Sequence, residues 1–361
     1  MGKTKIEWCD SVWNPIRGCS RVSEGCRHCY AETMAARFSD EGQAYYHLAK
    51  RTPDGPRWTG EVRLVQEHLE DPIRWTRPRR IFVNSMSDLF HEKLSITAQT
   101  DVFEVMAKCP QHTFQVLTKR ADQLYKLKQI GVGVAYRLGQ QKTPGFWPLP
   151  NVWIGVSVED QANADMRIPL LLQAPVAVRF VSCEPLLGPV NLPLAYCNNC
   201  FKFVGFKLVN NDKDYGCINC GCYLNSMSPV NRPGSFHQVA PLDWVICGGE
   251  SGPGARPMHP DWARGVRDQC VAAGVAFHFK QWGEYGLYDA QKDSHIARED
   301  QTICVFPDGS IQSNAEAFSM HADKPWWMLR LGKKRAGREL DGREWNEFPT
   351  SSRAAAISQS G

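Results

Sequence analysis

No run of eighteen apolar residues occurs in this 361-residue chain, which excludes a hydrophobic transmembrane helix. The opening stretch, MGKTKIEWCDSVWNP, has neither an apolar core nor a small-residue cleavage site, so the expectation is a soluble, cytoplasmic protein. Residue 6 is Ile where a lipidation signal starting at Gly2 needs Ser or Thr. A large excess of one charge is also missing. Lys and Arg number 42 against 38 Asp and Glu, a net +4 that permits a nucleic-acid partner without demanding one. No internal repeat is present. With 43% hydrophobic and 22% charged residues there is ample material for a large core, in about two domains or one α/β barrel.

What the chain does have is cysteine, fourteen in all. In a cytosolic protein these do not read as disulfides, because thiols there stay reduced. Eight are clustered (Cys19, Cys26, Cys29, Cys197, Cys200, Cys217, Cys220 and Cys222) and point to metal. The other six (Cys9, Cys109, Cys183, Cys247, Cys270 and Cys304) are scattered and read as small buried hydrophobes.

Short β-branched runs recur at 61–65, 80–85, 113–118, 152–157, 178–182, 243–249 and 276–281, and SVWNPIRG (11–18) makes a poor eighth. Amphipathic segments at 97–110, 160–174 and 260–274 separate several of them. Non-alternating strands between helices imply a parallel sheet buried on both faces. Eight strands predict an α/β fold of the TIM-type (βα) barrel, complete or nearly complete. The runs end in polar residues: Asn84, Ser85 and Asp88; Thr118, Lys119 and Arg120; Ser157 and Glu159; Ser182 and Glu184; Glu250 and Ser251; Lys280 and Gln281. In a barrel such positions ring the C-terminal mouth, where active sites sit. Some of them simply cap helices. The expected organisation is barrel over 1–192 and 241–285, an insertion at 193–240, and a C-terminal extension over 286–361 ending in a small, polar, disordered tail.

In the insertion, Cys197-x2-Cys200 and Cys217-x2-Cys220 stand sixteen residues apart, the spacing of a zinc ribbon, with Cys222 as a spare ligand. Four thiolates leave no open position, so this zinc would be structural. The first cluster, Cys19-x6-Cys26-x2-Cys29, is one ligand short. Three thiolates suit a [4Fe-4S] cluster with one iron left for a substrate or cofactor. The alternatives are zinc with His28 or a distant residue as fourth ligand, or no metal. Spacing alone does not separate them.

The segments NPIRGCSRVSEGCRHCYA, IFVNSMSDLFHE, NVWIGVSVEDQ, FVSCEPLLGPV, DWVICGGESGPGARPMHPDW and FKQWGE together resemble a phage-associated family of radical-SAM-like proteins, the three-Cys-motif phage proteins, from about residue 5 to 350 with the zinc insertion left out. That resemblance implies a radical S-adenosylmethionine (SAM) enzyme. Cys19, Cys26 and Cys29 would hold the cluster, and SAM would chelate the fourth iron and be cleaved to a 5′-deoxyadenosyl radical. The first gap is three residues longer than the superfamily's usual C-x3-C-x2-C. Tyr30 or His28 would lie beside the adenine. Gly248-Gly249-Glu250 looks like the superfamily's methionine-binding GGE but follows a late strand rather than the second. A glycine-rich turn with a capping glutamate explains it equally well. Asn84, Ser85, Asp88, Ser157, Glu159 and Glu184 are pocket candidates from strand-end position alone.

The substrate has weaker signals. Basic segments RWTRPRRI (74–81) and LGKKRAGR (331–338), twelve tryptophans and the ribbon favour nucleic acid or a nucleotide, and Lys119-Arg120 is the basic pair expected near a phosphate. With the phage resemblance, these imply modification or rearrangement of a nucleic-acid base or its side chain, in the context of phage DNA hypermodification. An electron donor such as flavodoxin or ferredoxin would serve the cluster. A radical SAM DNA-repair lyase and a non-enzymatic metal-containing nucleic-acid-binding protein are the alternatives.

Overall fold

The computed structural model describes residues 4, 6–197, 202–204, 206–209, 214–217, 227–229, 242–288, 302–313 and 325–349. Its main feature is a seven-stranded parallel sheet whose strands follow one another in chain order. They are β1 (Ser11–Trp13), β2 (Arg80–Val83), β3 (Thr113–Thr118), β4 (Val152–Ser157), β5 (Val178–Cys183), β6 (Trp244–Gly248) and β7 (Ala276–Gln281). The register sets Val12 beside Phe82, Phe82 beside Gln115 and Val116 beside Ile154. All six residues of β5 and all five of β6 are buried, as parallel strands covered on both faces should be.

The fold is α/β, but it is not the TIM barrel that the strand count predicts. The missing strand is the 61–65 run. Only Arg63–Leu64 is extended there, and it pairs antiparallel with Ile16–Arg17, outside the main sheet. Closing a barrel also requires the last strand's free edge. Along that edge of β7, the Phe279 amide donates to the Trp345 carbonyl (2.9 Å), the Glu347 amide to Phe277 (3.1 Å), and His278 bridges Asn346 antiparallel. Part of the expected C-terminal extension is therefore an edge cover, which protects backbone groups that would otherwise template association.

Helices follow most strands: α1 (Tyr30–Arg37), α2 (Ile96–Lys108), α3 (Lys126–Arg137), α4 (Gln161–Gln173) and α5 (Pro260–Ala273). Between β5 and β6 the described residues contain no helix, and the insertion stands there instead, so strand and helix do not alternate throughout as a (βα)8 barrel requires. Ser95 caps α2 by accepting from the Ala98 amide (3.1 Å), and α5 opens with Pro260 and stops at Gly274, which is left-handed at φ 64°. Helix α3 is hidden from propensity by Gly131 and Gly133. Packing explains Gly131, because a Cβ there would stand 2.7 Å from the Trp147 ring.

The described residues divide into two compact units, Met1–Ser157 with Pro169–Phe180, and Val158–Ile168 with Val181–Phe348. In the first, Ile81, Val83, Phe114, Val116 and Ile154 are fully buried around the Trp13 side chain. In the second, Trp244, Ile246, Phe277 and Phe279 do the same work, and a four-stranded antiparallel sheet orders Tyr285–Leu287, Trp326–Arg330, Thr302–Val305 and Ile311–Ser313. Of the insertion, strand Ala195–Cys197 pairs with Lys202–Val204 and Met227–Pro229, and Phe206–Val209 pairs with Asp214–Cys217. Cys197 and Cys217 each end a strand, whereas Cys200, Cys220, Cys222 and the 350–361 tail lie outside the described residues. The six scattered cysteines are all buried and in no disulfide, as expected of small apolar side chains. No helix among the described residues is long and apolar enough to cross a membrane.

Within the first unit, Gly155 of β4 is set by its neighbour: a Cβ would lie 2.5 Å from the fully buried Phe180 ring. Gly155→Ala is expected to cost about 2 kcal/mol through overpacking, read as a lowered urea midpoint, with Phe180→Leu in the same chain restoring part of the loss.

Candidate metal centre

The three-cysteine loop leaves the C-terminal end of β1, and this is the edge where open α/β sheets bind ligands. Gly18 makes the loop possible. Its φ of 91° is left-handed, and a Cβ there would stand 2.0 Å from the Glu61 carbonyl oxygen. Gly18 also bridges Ser87, just past β2. Cys26 is buried at the end of a short 3₁₀ turn (Glu24–Cys26), and Cys29 is the residue from which α1 starts.

Two buried charges hold the loop. From β3 comes Arg120, 4% exposed. Its Nη1 donates to Asp88 Oδ2 (3.1 Å) and to Cys19 Sγ (3.8 Å), its Nη2 to Ser20 Oγ (2.7 Å) and the Ser20 carbonyl (3.1 Å), and its Nε to Glu92 Oε2 (2.8 Å). Burial opposes the charged guanidinium, but Asp88, Cys19 and Glu92 carry its pKa above the ordinary arginine value. Asp88 is itself fully engaged, accepting further bonds from Thr118 Oγ1 (2.7 Å) and from the amides of Phe90 (3.0 Å) and Lys119 (3.2 Å). From α1 comes Glu32, 1% exposed, which pairs with Arg21 through both oxygens and accepts from the Trp58 amide (2.8 Å). Glu32 thus ties the stretch between Cys19 and Cys26 to the hairpin Ala49–Thr52/Gly55–Trp58.

His91 completes the clamp. Its Nδ1 accepts from the Lys93 amide (3.2 Å), so the neutral ring carries its proton on Nε2 and donates to Ser20 Oγ (3.0 Å). Burial, then Arg120, hold its pKa below the usual histidine value.

Burial disfavours the thiolates of Cys19 and Cys29. Burial pushes Cys19 up to about 12, with Asp88 adding and Arg120 opposing, and burial likewise raises Cys29 against the amides of Glu32 and Ala31 at the start of α1. Cys19 and Cys29 act on one another electrostatically, as do Cys26 and Cys29. All three are free of disulfides. Among the described residues, no three His, Cys, Asp or Glu side chains converge to hold one metal ion. A cubane cluster sets a different demand, since each thiolate binds its own iron. Uncrosslinked soft donors, gathered at a sheet's carboxyl edge and costly to ionise unless a cation accompanies them, fit such a cluster.

The other sequence candidates fall in two places. Asn84 and Ser85 belong with the loop. Asn84 is left-handed at φ 60°, accepts from the Ile16 amide through Oδ1 (3.3 Å), and has a buried Nδ2 with no partner among the described residues. Ser85 donates to Asn14 Oδ1 (3.2 Å). Tyr30 is 70% exposed beside Cys29. Ser157 is buried at the end of β4.

In the second unit, Glu159 and Arg167 form a fully buried pair (2.9 Å). Glu184 takes Lys280 Nζ on both oxygens (2.8 and 2.9 Å) and Gln281 Nε2 (3.3 Å). The Gly248-Gly249-Glu250 segment is occupied by its own chain. A Cβ on Gly249 would stand 1.9 Å from the Trp282 carbonyl oxygen, and Glu250 is engaged by the Arg256 guanidinium (2.9 and 2.8 Å) and amide (2.8 Å). Glu32, His91 and Ser20 carry no signal in the sequence that marks them for this site. Arg120 does carry one, as a cation expected at a phosphate, and it is instead enclosed by carboxylates.

The family model described as "Protein of unknown function (DUF5131)" matches residues 3–349. This chain belongs to the DUF5131 family. No curated protein and no solved structure matches it. The match runs through the three-cysteine loop, both residues that clamp it and the β7 edge cover of this DUF5131 chain.

Arg120→Gln is expected to cost about 3 kcal/mol, because Asp88 stays buried without its cation, and adding Asp88→Asn should return part of it in urea unfolding. His91 supplies a pH signature. Its folded pKa is lowered, so below about pH 6.5 the unfolded chain binds the extra proton and stability falls with falling pH. The melting temperature should drop between pH 7 and 5, and His91→Asn should flatten that slope.

Proposed function

We propose that this protein is a radical SAM enzyme in which Cys19, Cys26 and Cys29 hold a [4Fe-4S] cluster. The observation that carries the reading is the loop's position. Three free cysteines leave the first strand of a parallel sheet at its carboxyl edge and are fixed there by buried side chains from the following elements. When bound, the cluster and SAM would supply the electron and the 5′-deoxyadenosyl group for hydrogen abstraction.

The chain's own residues do the rest. Arg120 positions Cys19 through Ser20 and offers an N–H to its sulfur, and such hydrogen bonds raise the reduction potential of a cluster. The amides of Ala31 and Glu32 at the start of α1 partly offset the burial that raises Cys29. Tyr30, next in sequence, presents an exposed ring that an adenine can stack on, and the unpaired Nδ2 of Asn84 is a buried donor awaiting an acceptor. The proposed substrate is a nucleic-acid base or its side chain, and flavodoxin or ferredoxin is the proposed electron donor. A structural zinc on Cys197, Cys200, Cys217 and Cys220 is proposed from spacing alone.

The test is anaerobic purification, reconstitution with iron and sulfide, reduction and addition of SAM, with 5′-deoxyadenosine followed by mass spectrometry. The wild type should hold about four irons per chain at this site and produce 5′-deoxyadenosine. The Cys19→Ala/Cys26→Ala/Cys29→Ala chain should do neither while keeping any zinc. Zinc in place of iron at the loop would overturn the reading.

A further inference from the structure

In an antiparallel ladder, directly opposed side chains share a face, and like charges opposed in this way destabilise the pair. Two short ladders beside the three-cysteine loop do this. Arg17 faces Arg63 where Ile16–Arg17 meets Arg63–Leu64, and Lys50 faces Arg57 in the hairpin Ala49–Thr52/Gly55–Trp58. Among the described residues none of the four forms an ion pair. Arg57 Nη1 donates to the Pro56 carbonyl (2.7 Å) and Arg63 Nη2 to the Ala44 carbonyl (2.8 Å), both uncharged acceptors that leave the cations' charge unmatched. Several other cations in the same unit do meet acids: Arg80 with Asp10, Arg137 with Asp101 and Glu104, Lys93 with Glu61. Arg79 and Arg80 of the basic segment at 74–81 are likewise engaged, with Ser11 and Asp10, at the opposite end of β2 from the loop.

Two of the four, Arg17 and Arg63, lie at Tyr45 and its neighbour Ala44, and the hairpin that carries Lys50 and Arg57 packs its opposite face on the Tyr45 ring. The Arg17 guanidinium lies over that ring, 5.7 Å from the centroid. Arg63 is held by the carbonyl of adjacent Ala44. The amide of Ala49, next to Lys50, donates to the Tyr45 carbonyl (3.2 Å), and Trp58, next to Arg57, packs its ring 6.2 Å from that of Tyr45. Arg17 precedes Cys19 by two residues, and exposed Tyr30 follows Cys29 directly.

We infer that these two ladders grip the backbone of a single-stranded nucleic acid. Arg17, Lys50, Arg57 and Arg63 contact phosphates, and Tyr30 stacks a base at the mouth of the three-cysteine loop. The inference deepens, and rests on, the reading of a nucleic-acid base as substrate. An anionic backbone removes the repulsion built into both ladders, and the exposed Tyr30 ring at the loop favours a strand with unpaired bases over an acidic protein.

The experiment is fluorescence anisotropy of a labelled single-stranded DNA with the full chain, with and without reconstituted iron, between about 50 and 200 mM salt. Lys50→Gln/Arg63→Gln should weaken binding about tenfold at the low-salt end and flatten the slope of log affinity against log salt by about 1.4, or about 0.7 for each phosphate left without its cation. Lys108→Gln/Arg137→Gln, an equal charge change at the C-terminal ends of α2 and α3, should leave affinity nearly unchanged. A second signature separates ligand binding from folding. Lys50→Glu, which gives Arg57 an opposite charge to face, should raise the melting temperature while weakening DNA binding.

Affinity and salt slope that are the same in the double variant and the wild type would overturn the inference. So would a wild type that ignores DNA but binds an acidic flavodoxin, with the same variants losing that binding, because the ladders would then be a docking site for an electron carrier. Binding to DNA is read without SAM turnover. A chain that binds DNA through these residues yet makes no 5′-deoxyadenosine defeats the radical reading alone. One that makes it but binds DNA without them defeats only the interface.

Discussion

Arg120 carries a full positive charge into a place almost closed to water, and everything around it is arranged to keep it charged. Asp88 gives it a buried counter-charge, Glu92 a second at the surface, and Ser20 two oxygens. Since Ser20 sits beside Cys19 and Asp88 sits beyond β2, one guanidinium on the end of β3 fixes the carboxyl ends of three consecutive strands and the first cysteine together. A lysine could not do this. Its point charge lacks the planar fork that reaches Asp88, Glu92, Ser20 and a sulfur in different directions.

Glu32 is the counterpart on the other flank. It lies on α1 three residues after Cys29, reaches back to Arg21 between the first two cysteines, and accepts the hairpin's Trp58 amide. The loop is therefore held at both ends by buried ionic groups, while burial raises the thiol pKa of Cys19 and Cys29. Such a loop is rigid in backbone and unsatisfied in chemistry, and a metal cluster stabilises an arrangement of that kind. The two cationic ladders follow the same logic. They keep a local repulsion that folding alone does not require, and a polyanion would relieve it.

Helix and strand positions are largely legible in the sequence. The apolar runs at 80–85, 113–118, 152–157, 178–182, 243–249 and 276–281 all form strands of one parallel sheet, and the three amphipathic segments form α2, α4 and α5 within two residues at either end. The open sheet is not legible, because the 61–65 run has the composition of a strand and only its pairing with Ile16–Arg17 removes it from the sheet. Helix α3 is obscured because its glycines lower propensity, and the reason for Gly131 is a tryptophan sixteen residues away. At the site, Asp88 stands out by its place after a strand, and the structure gives it four donors of its own. Arg120 reads as a phosphate ligand because a charge's partners cannot be read from the charge.

By itself the sequence determined the α/β class, the order of the sheet strands, the three-cysteine loop after the first of them and the burial of the scattered cysteines, since hydrophobic period and residue spacing are local properties. Only the tertiary structure decided that the sheet stays open with its last edge covered by Trp345–Glu347, that Glu250 belongs to Arg256, and that two pairs of unmatched cations face one another across short ladders. Those outcomes depend on which backbone edges and which charges meet across long stretches of chain, and that is settled by competition among partners, not by any one segment.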